Sequence, residues 1–423
     1  MIIETVKYTY NDLTIVPNEI SKVSSRKECI PYIEKGQNIG MLPIFTAPMS
    51  TIVNEKNVVL FKKNGIIPIM PRNIGVSGDE TTRRSKICDL LVNQKNNTTR
   101  NDTDYWIAVS LNECDAYDTD YWIALSLNEF EEVFVNDKYH IQDWLSPGTY
   151  NICIDLANGH MEKLYSIINK AREISEKKNY ELIIMTGNIA NPDTYRWIAE
   201  NCKVDYIRVG IGSGNNCITT SNTGVHYPMA SLVNDCYTTR KQLEFCGGYV
   251  HLPKIVADGG IRNYSDVIKA LGLGADYVMI GSLFTGLLES AAPVSGCARY
   301  GGVPFYCDMD KFDNGNMIID CWDEYTKENT KRHIIEQFNL KKESYGMSTV
   351  KAQALINPGS TKKTSEGNFK SLEVKYTLYQ WVENMISYLK SAMSYTNSTG
   401  LNEFIGQTVF VVNSPNAISV VNK

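Results

Sequence analysis

The stretch KIVADGGIRNYSDVIKALGLGADYVMIGS, residues 254–282, decides the fold. Two short apolar runs, Lys254–Ala257 and Asp276–Ile280, flank a helical segment, and each passes into a glycine-bearing turn, Asp258-Gly259-Gly260 and Gly281-Ser282. Neither run alternates polar with apolar residues, which is the pattern of a parallel strand covered on both faces. Further runs of the same kind lie upstream at Leu42–Phe45, Gly65–Met70, Tyr121–Ser126, Asn151–Ala157, Leu182–Thr186 and Asp205–Val209, making eight with the first two. Eight buried strands separated by helical stretches predict an α/β fold, a (β/α)8 TIM barrel. The 423 residues leave room for more than one domain, but barrels with insertions fill that length as a single unit, so residues 1–423 are expected to form one domain with loop insertions and a C-terminal flap and tail. In such a barrel the active site lies at the C-terminal ends of the strands.

Composition narrows the partners. Lysine and arginine total 42 against 47 aspartates and glutamates, a net charge of −5. That balance argues against a nucleic-acid or anionic-membrane surface, either of which needs a concentrated basic patch. The 11 cysteines include no C-x-x-C pair, and Met1-Ile2-Ile3-Glu4 does not read as a secretory segment. Reduced thiols and a cytoplasmic location are therefore expected, rather than disulfides or zinc. No apolar run approaches the roughly 20 residues of a membrane-spanning helix.

Three segments interrupt the barrel rhythm. Asp102-Thr103-Asp104-Tyr105-Trp106-Ile107-Ala108 recurs as Asp118-Thr119-Asp120-Tyr121-Trp122-Ile123-Ala124, an offset of 16 residues. Two copies of that length are too few and too short for a solenoid, so residues 102–131 read as a local duplication whose second copy is the barrel strand. The polar stretch from Arg72 to Asp104 reads as a loop with one helix around Thr82–Val92. Residues 291–342 carry turn signals at Tyr300-Gly301-Gly302 and Asn314-Gly315-Asn316 and read as a mobile insertion of the kind that forms lids.

The segment richest in chemistry follows the sixth strand: Arg208-Val209-Gly210-Ile211-Gly212-Ser213-Gly214-Asn215-Asn216-Cys217-Ile218-Thr219-Thr220. Its glycines let backbone groups approach a ligand and hold Cys217 at the barrel mouth. Taken alone, the same residues also describe a tight turn before a buried, inert cysteine. They do not form a dinucleotide fingerprint, because the third glycine and the following βαβ half are missing. The loops at Asp258-Gly259-Gly260 and Gly281-Ser282, after strands seven and eight, occupy the positions where barrels commonly bind phosphate through backbone N–H groups. Such a site reconciles an anionic ligand with an acidic protein, and Asp258 is then placed to accept from ribose hydroxyls.

Together with Tyr345-Gly346-Met347-Ser348, Tyr10-Asn11-Asp12-Leu13, Ala47-Pro48-Met49, Ser365-Glu366-Gly367 and Ser391-Ala392-Met393-Ser394-Tyr395, these loops resemble the IMP dehydrogenase/GMP reductase family over nearly the whole chain. The resemblance implies a cysteine nucleophile, Cys217, that bonds to purine C2 while a hydride passes between that carbon and a nicotinamide. It implies that Thr219 and Glu289 handle the proton of ammonia. It places a purine nucleoside monophosphate on Met49, Asp258, Gly260, Gly281, Ser282 and the flap residues Tyr345, Gly346, Met347 and Ser348, and the nicotinamide ribose near Asp155 and Ala157. A monovalent cation, K+, on backbone carbonyls of Gly212, Gly214 and Cys217 is implied as well, with a homo-oligomer, a tetramer, as the assembled form.

Within the family the sequence is more similar to the reductase branch. Dehydrogenases carry an arginine between the tyrosine and glycine of the flap, whereas Tyr345 is followed at once by Gly346. Asp155-Leu156-Ala157-Asn158-Gly159, Thr223-Gly224-Val225-His226-Tyr227-Pro228 and Lys363-Thr364-Ser365-Glu366-Gly367 point the same way, and the gap between strands two and three is too short for a CBS pair. The sequence departs from the family at Ser213, where many reductases have proline, at Ile218, where threonine is common, and at Met229, where glutamine is frequent. The expected reaction is NADPH-dependent reductive deamination of GMP to IMP and ammonia. The alternatives are oxidation of IMP to XMP with NAD, or reduction of a modified purine nucleotide. A flavin-dependent barrel would share the phosphate loops but has no need of Cys217, and a silent nucleotide-binding barrel has no need of Cys217, Thr219 and Glu289 together.

Overall fold

Apolar runs buried on both faces require a sheet wrapped by helices, and the computed structural model of the chain has that arrangement. It describes residues 5–33, 40–72, 85–91, 121–140, 142–214, 217–247, 251–300, 303–307, 328–329, 331–332, 335–336, 340–345, 349 and 368–421. Strand β1 (Leu13–Val16) precedes the barrel strands β2 (Ile44–Thr46), β3 (Ile69–Met70), β4 (Trp122–Leu125), β5 (Thr149–Ile154), β6 (Glu181–Ile189), β7 (Tyr206–Val209), β8 (Lys254–Asp258) and β9 (Tyr277–Ile280). All neighbours in this eight-stranded sheet run parallel, in the order β2-β9-β8-β7-β6-β5-β4-β3. The ring closes where Phe45 bridges Ile67 in parallel, with Thr46 N–H donating to the Ile67 carbonyl and Ile67 N–H to the Ile44 carbonyl. The protein is a (β/α)8 TIM barrel, and each of its eight strands falls within or overlaps a run read from the sequence.

Side chains fill the barrel. Towards its N-terminal end, Phe45, Trp122, Tyr206 and Tyr277 pack with ring centroids 5.0 to 6.0 Å apart. The Lys254 ammonium sits 5.8 Å and 5.5 Å from the Tyr206 and Tyr277 ring centroids. This aromatic cluster fills the barrel interior towards the starts of its strands. Helices such as Glu162–Lys178, Pro192–Asn201, Met229–Cys246 and Tyr264–Gly272 bury an apolar stripe, and the last two also bury charged residues, Arg240 in one and Asp266 and Lys269 in the other.

Two antiparallel additions decorate the barrel. Strand β14 (Val409–Val412) pairs with β1, joining sequence-distant parts of the chain. Strands β10 (Val294–Tyr300), β11 (Val303–Cys307), β12 (Lys341–Tyr345) and β13 (Phe369–Glu373) form a four-stranded sheet in the order β11-β10-β12-β13. The segment 291–342, read as one insertion, therefore supplies strands to a sheet that also carries the run into the flap. The alternation of β12 turns Lys342 inward, where it is 2% exposed and donates to the Ser290 carbonyl at 2.7 Å. Burial lowers its pKa to about 8, against a raising effect from Glu289.

The second copy of the duplication supplies β4, as expected, whereas the first copy lies outside the described residues. So do Asn215, Asn216, the flap residues Gly346, Met347 and Ser348, the Ser365-Glu366-Gly367 stretch and residues 308–327. Residues 85–91 are helical, within the helix expected around Thr82–Val92. No helix among the described residues is long and apolar enough to cross a membrane.

Candidate active site

The C-terminal rim is built from loops that lean on one another. After β7 the chain turns through Gly212, whose φ of +70° is a left-handed conformation that favours glycine. A side chain there would also overlap the Thr220 hydroxyl, which instead donates to the Gly212 carbonyl at 3.1 Å. A ring nitrogen of His226 lies 3.0 Å from the Ile211 carbonyl, and Cys217 N–H donates to the Gly214 carbonyl at 3.0 Å. These contacts bring Cys217 back over the loop, half-buried, with its thiol donating to Thr219 Oγ1 at 3.1 Å. Cys217 and Thr219 thus lie within hydrogen-bond distance of each other. The loop also touches the turn after β8, where Gly260 N–H donates to the Ser213 carbonyl at 2.9 Å.

Asp258 ends β8 and faces a buried cation. Arg208, 7% exposed on β7, directs Nη2 and Nε to Asp258 Oδ2 at 2.8 and 3.1 Å, and Nη1 to Asp155 Oδ1 at 3.0 Å. Asn188, at the end of β6, donates to the same Asp258 oxygen and to the Gly210 carbonyl, both at 2.7 Å. The ends of four adjacent strands, β5 to β8, therefore share one polar network. Burial depresses the Arg208 pKa, but the facing carboxylates outweigh it and the net displacement is upward, so the guanidinium stays charged. The sequence reading gave no role to Arg208 or Asn188. The available signal was a charged residue inside the apolar run Asp205–Val209, since an arginine in a strand buried on both faces needs partners.

The remaining expected residues divide. Met49 and Gly281 meet: a Cβ at Gly281 would stand 3.5 Å from the Met49 sulfur, and Ala47 N–H donates to the Ile280 carbonyl at 2.9 Å. Ser282 opens the short helix Ser282–Thr285, and Ala157 is exposed in the loop after β5. Tyr345, at the end of β12, is buried with its ring parallel to that of Phe369, 6.1 Å between centroids. Glu289 is not brought to Thr219 by any hydrogen bond among the described residues. It is 5% exposed; one oxygen accepts from Lys331 Nζ at 2.9 Å and the other from Leu378 N–H at 2.8 Å. Leu378 begins the 18-residue helix Leu378–Tyr395, whose N-terminal N–H groups and dipole attract a carboxylate. The Glu289 carboxylate is thus held by a lysine and a helix start.

Among the described residues no group of three or more His, Cys, Asp or Glu is arranged for a metal. The Gly212 and Gly214 carbonyls each accept one hydrogen bond from the chain and keep a lone pair, a donor set that fits a hard monovalent ion.

Fold and rim together define a (β/α)8 barrel with a cysteine-bearing glycine loop packed on an Asp-Gly-Gly turn. The sequence model of the IMP dehydrogenase / GMP reductase domain matches residues 7–300, and the chain belongs to that family. It is similar to the "GMP reductase" of Staphylococcus carnosus (strain TM300), 30% identical over 288 residues, covering 67% of this chain and 72% of that protein. The "GMP reductase" of Helicobacter pylori (strain J99) is 29% identical over 284 residues, covering 67% and 73%. That of Bacillus subtilis (strain 168) is 26% identical over 374 residues, covering 88% of this chain and 97% of its own length.

Proposed function

We propose that the protein is a cytoplasmic oxidoreductase that converts GMP, NADPH and a proton to IMP, ammonia and NADP+. The observation that carries this reading is the Cys217 thiol held 3.1 Å from the Thr219 hydroxyl on the glycine loop, in a chain whose relatives bear the name GMP reductase. Cys217 adds to C2 of the purine, the amino group leaves as ammonia, and expulsion of the thiolate frees IMP. NADPH supplies the hydride that C2 gains. The hydroxyl of Thr219, in reach of the sulfur, passes the proton that the thiol gives up and the departing ammonia takes. Glu289, whose carboxylate also accepts from Leu378 N–H at the start of the helix Leu378–Tyr395, completes the proton-handling pair with Thr219 in this reading.

Each ribose carboxylate has an oxygen to offer. Asp258 Oδ2 takes the bonds from Arg208 and Asn188, and Asp155 Oδ1 takes the bond from Arg208. The second oxygen of each is left for ribose hydroxyls: Asp258 with Gly260 at the purine nucleotide, Asp155 with Ala157 at the dinucleotide. Gly281, Ser282 and Met49 line the substrate side, and Tyr345 to Ser348 close on its phosphate. K+ on the carbonyls of Gly212, Gly214 and Cys217 would stiffen the loop that carries the nucleophile. The assembled form in this reading is a homo-oligomer.

The test follows nicotinamide absorbance with purified protein. Loss of NADPH signal on adding GMP, with ammonia released in equal amount, is the expected result. A rise with IMP and NAD+ and none of the loss would overturn it in favour of a dehydrogenase. Replacing Thr219 by valine should lower kcat by about a hundred-fold or more while GMP still binds; an undiminished kcat would remove the hydroxyl from the proton route.

A further inference from the structure

Arg208 joins two carboxylates that, on the reading above, hold the riboses of two different nucleotides. We propose that Arg208 is a positioning residue that couples the purine-nucleotide subsite to the dinucleotide subsite, so that filling one orders the carboxylate of the other. The proposal rests on that functional reading and on the following geometry. The guanidinium spans from β5 to β8, with one nitrogen on Asp155 and two on Asp258. Its planar fork allows both contacts at once, which a lysine ammonium on a single point cannot reproduce. At 7% exposure water does not screen the charges, so displacing one carboxylate shifts the balance felt by the other. Asn188 clamps Asp258 from a second side and ties it to the Gly210 carbonyl at the foot of the cysteine loop. The neighbouring strand makes room for the fork: Gly187 pairs with Arg208, and a Cβ at Gly187 would stand 2.8 Å from that of Arg208. Nothing in the proposed chemistry requires a cation beneath the two riboses, yet the chain buries one there.

The measurement is the dissociation constant of GMP, alone and with saturating NADP+, a pair that binds without reacting forward. Wild-type protein should bind GMP about five-fold or more tightly when NADP+ is present. In Arg208→Lys, with melting temperature near wild type, each nucleotide should still bind alone while the enhancement falls below about two-fold. Loss of packing alone would weaken both nucleotides and leave their ratio intact. Should Arg208→Lys not fold, Asp155→Asn serves instead: GMP alone should bind about three-fold or more weakly although the change lies in the other subsite. Retained enhancement in Arg208→Lys, or unaltered GMP affinity in Asp155→Asn, overturns the coupling. Wild-type protein that binds both nucleotides independently also overturns it and leaves the functional reading standing, whereas wild-type protein that binds neither sinks the reading and the coupling with it.

Discussion

Cys217→Ala should cut turnover of GMP by roughly ten-thousand-fold or more, because a covalent route has no substitute once its nucleophile is gone. Binding should survive. The Cys217 side chain is half-buried and its thiol makes one hydrogen bond, to Thr219, so its removal leaves little behind in the fold. The residues that would hold ribose and phosphate belong to other loops. Steady-state kinetics beside GMP titration of the same variant separates the two effects. A variant that turns over within ten-fold of wild type would exclude covalent catalysis through this sulfur, and one that no longer binds GMP would make Cys217 a structural residue of the loop.

Gly187→Ala should destabilise the barrel by about 3 kcal/mol or more and disable the site at the same time. Gly187 lies inside β6 with φ +136°, a conformation that side chains rarely adopt, and its added Cβ would overlap the carbonyl oxygen of Arg208 on the paired strand. Backbone cannot rotate away as a side chain can, so β6 and β7 must separate or twist. Either movement drags Arg208 from Asp155 and Asp258 and Asn188 from Asp258. Chemical denaturation reads the first effect, and the affinities for GMP and NADP+ the second. Stability within 1 kcal/mol of wild type, on the order of a surface change, would show that the strand pair yields more easily than its geometry implies.

The sequence made the barrel strands legible because burial on both faces leaves a mark in composition: Leu182–Ile184 and Val278–Ile280 have no polar side to show. It also pointed to the mouth loops, because glycine and the Asp-Gly-Gly turn mark places where backbone must turn tightly or approach a ligand. The antiparallel sheet of β10 to β13 was not legible. Its pairing joins residues near 295 to residues near 341 and residues near 343 to residues near 371, and the intervening polar stretches read only as an interruption of the barrel.

Glu289 illustrates the remaining limit. Its place just beyond the last barrel strand is the same in sequence and structure, but the destination of a carboxylate depends on which donors the fold delivers. The fold delivers Leu378 N–H from a helix start 89 residues further on, with Lys331 beside it. Arg208 is the converse case, visible as a charge in an apolar run but without a role until the parallel pairing of β5 to β8 brings Asp155 and Asp258 within its reach. What the sequence determined by itself was the set of strands, the order of the loops and the presence of a cysteine at the rim, since these depend on local pattern and chain order. What only the tertiary structure decided was which polar groups meet. Hydrogen bonds and ion pairs act over about 3 Å, and only the closed barrel brings residues 50 or more positions apart, such as Arg208 with Asp155 and Asp258, within that distance.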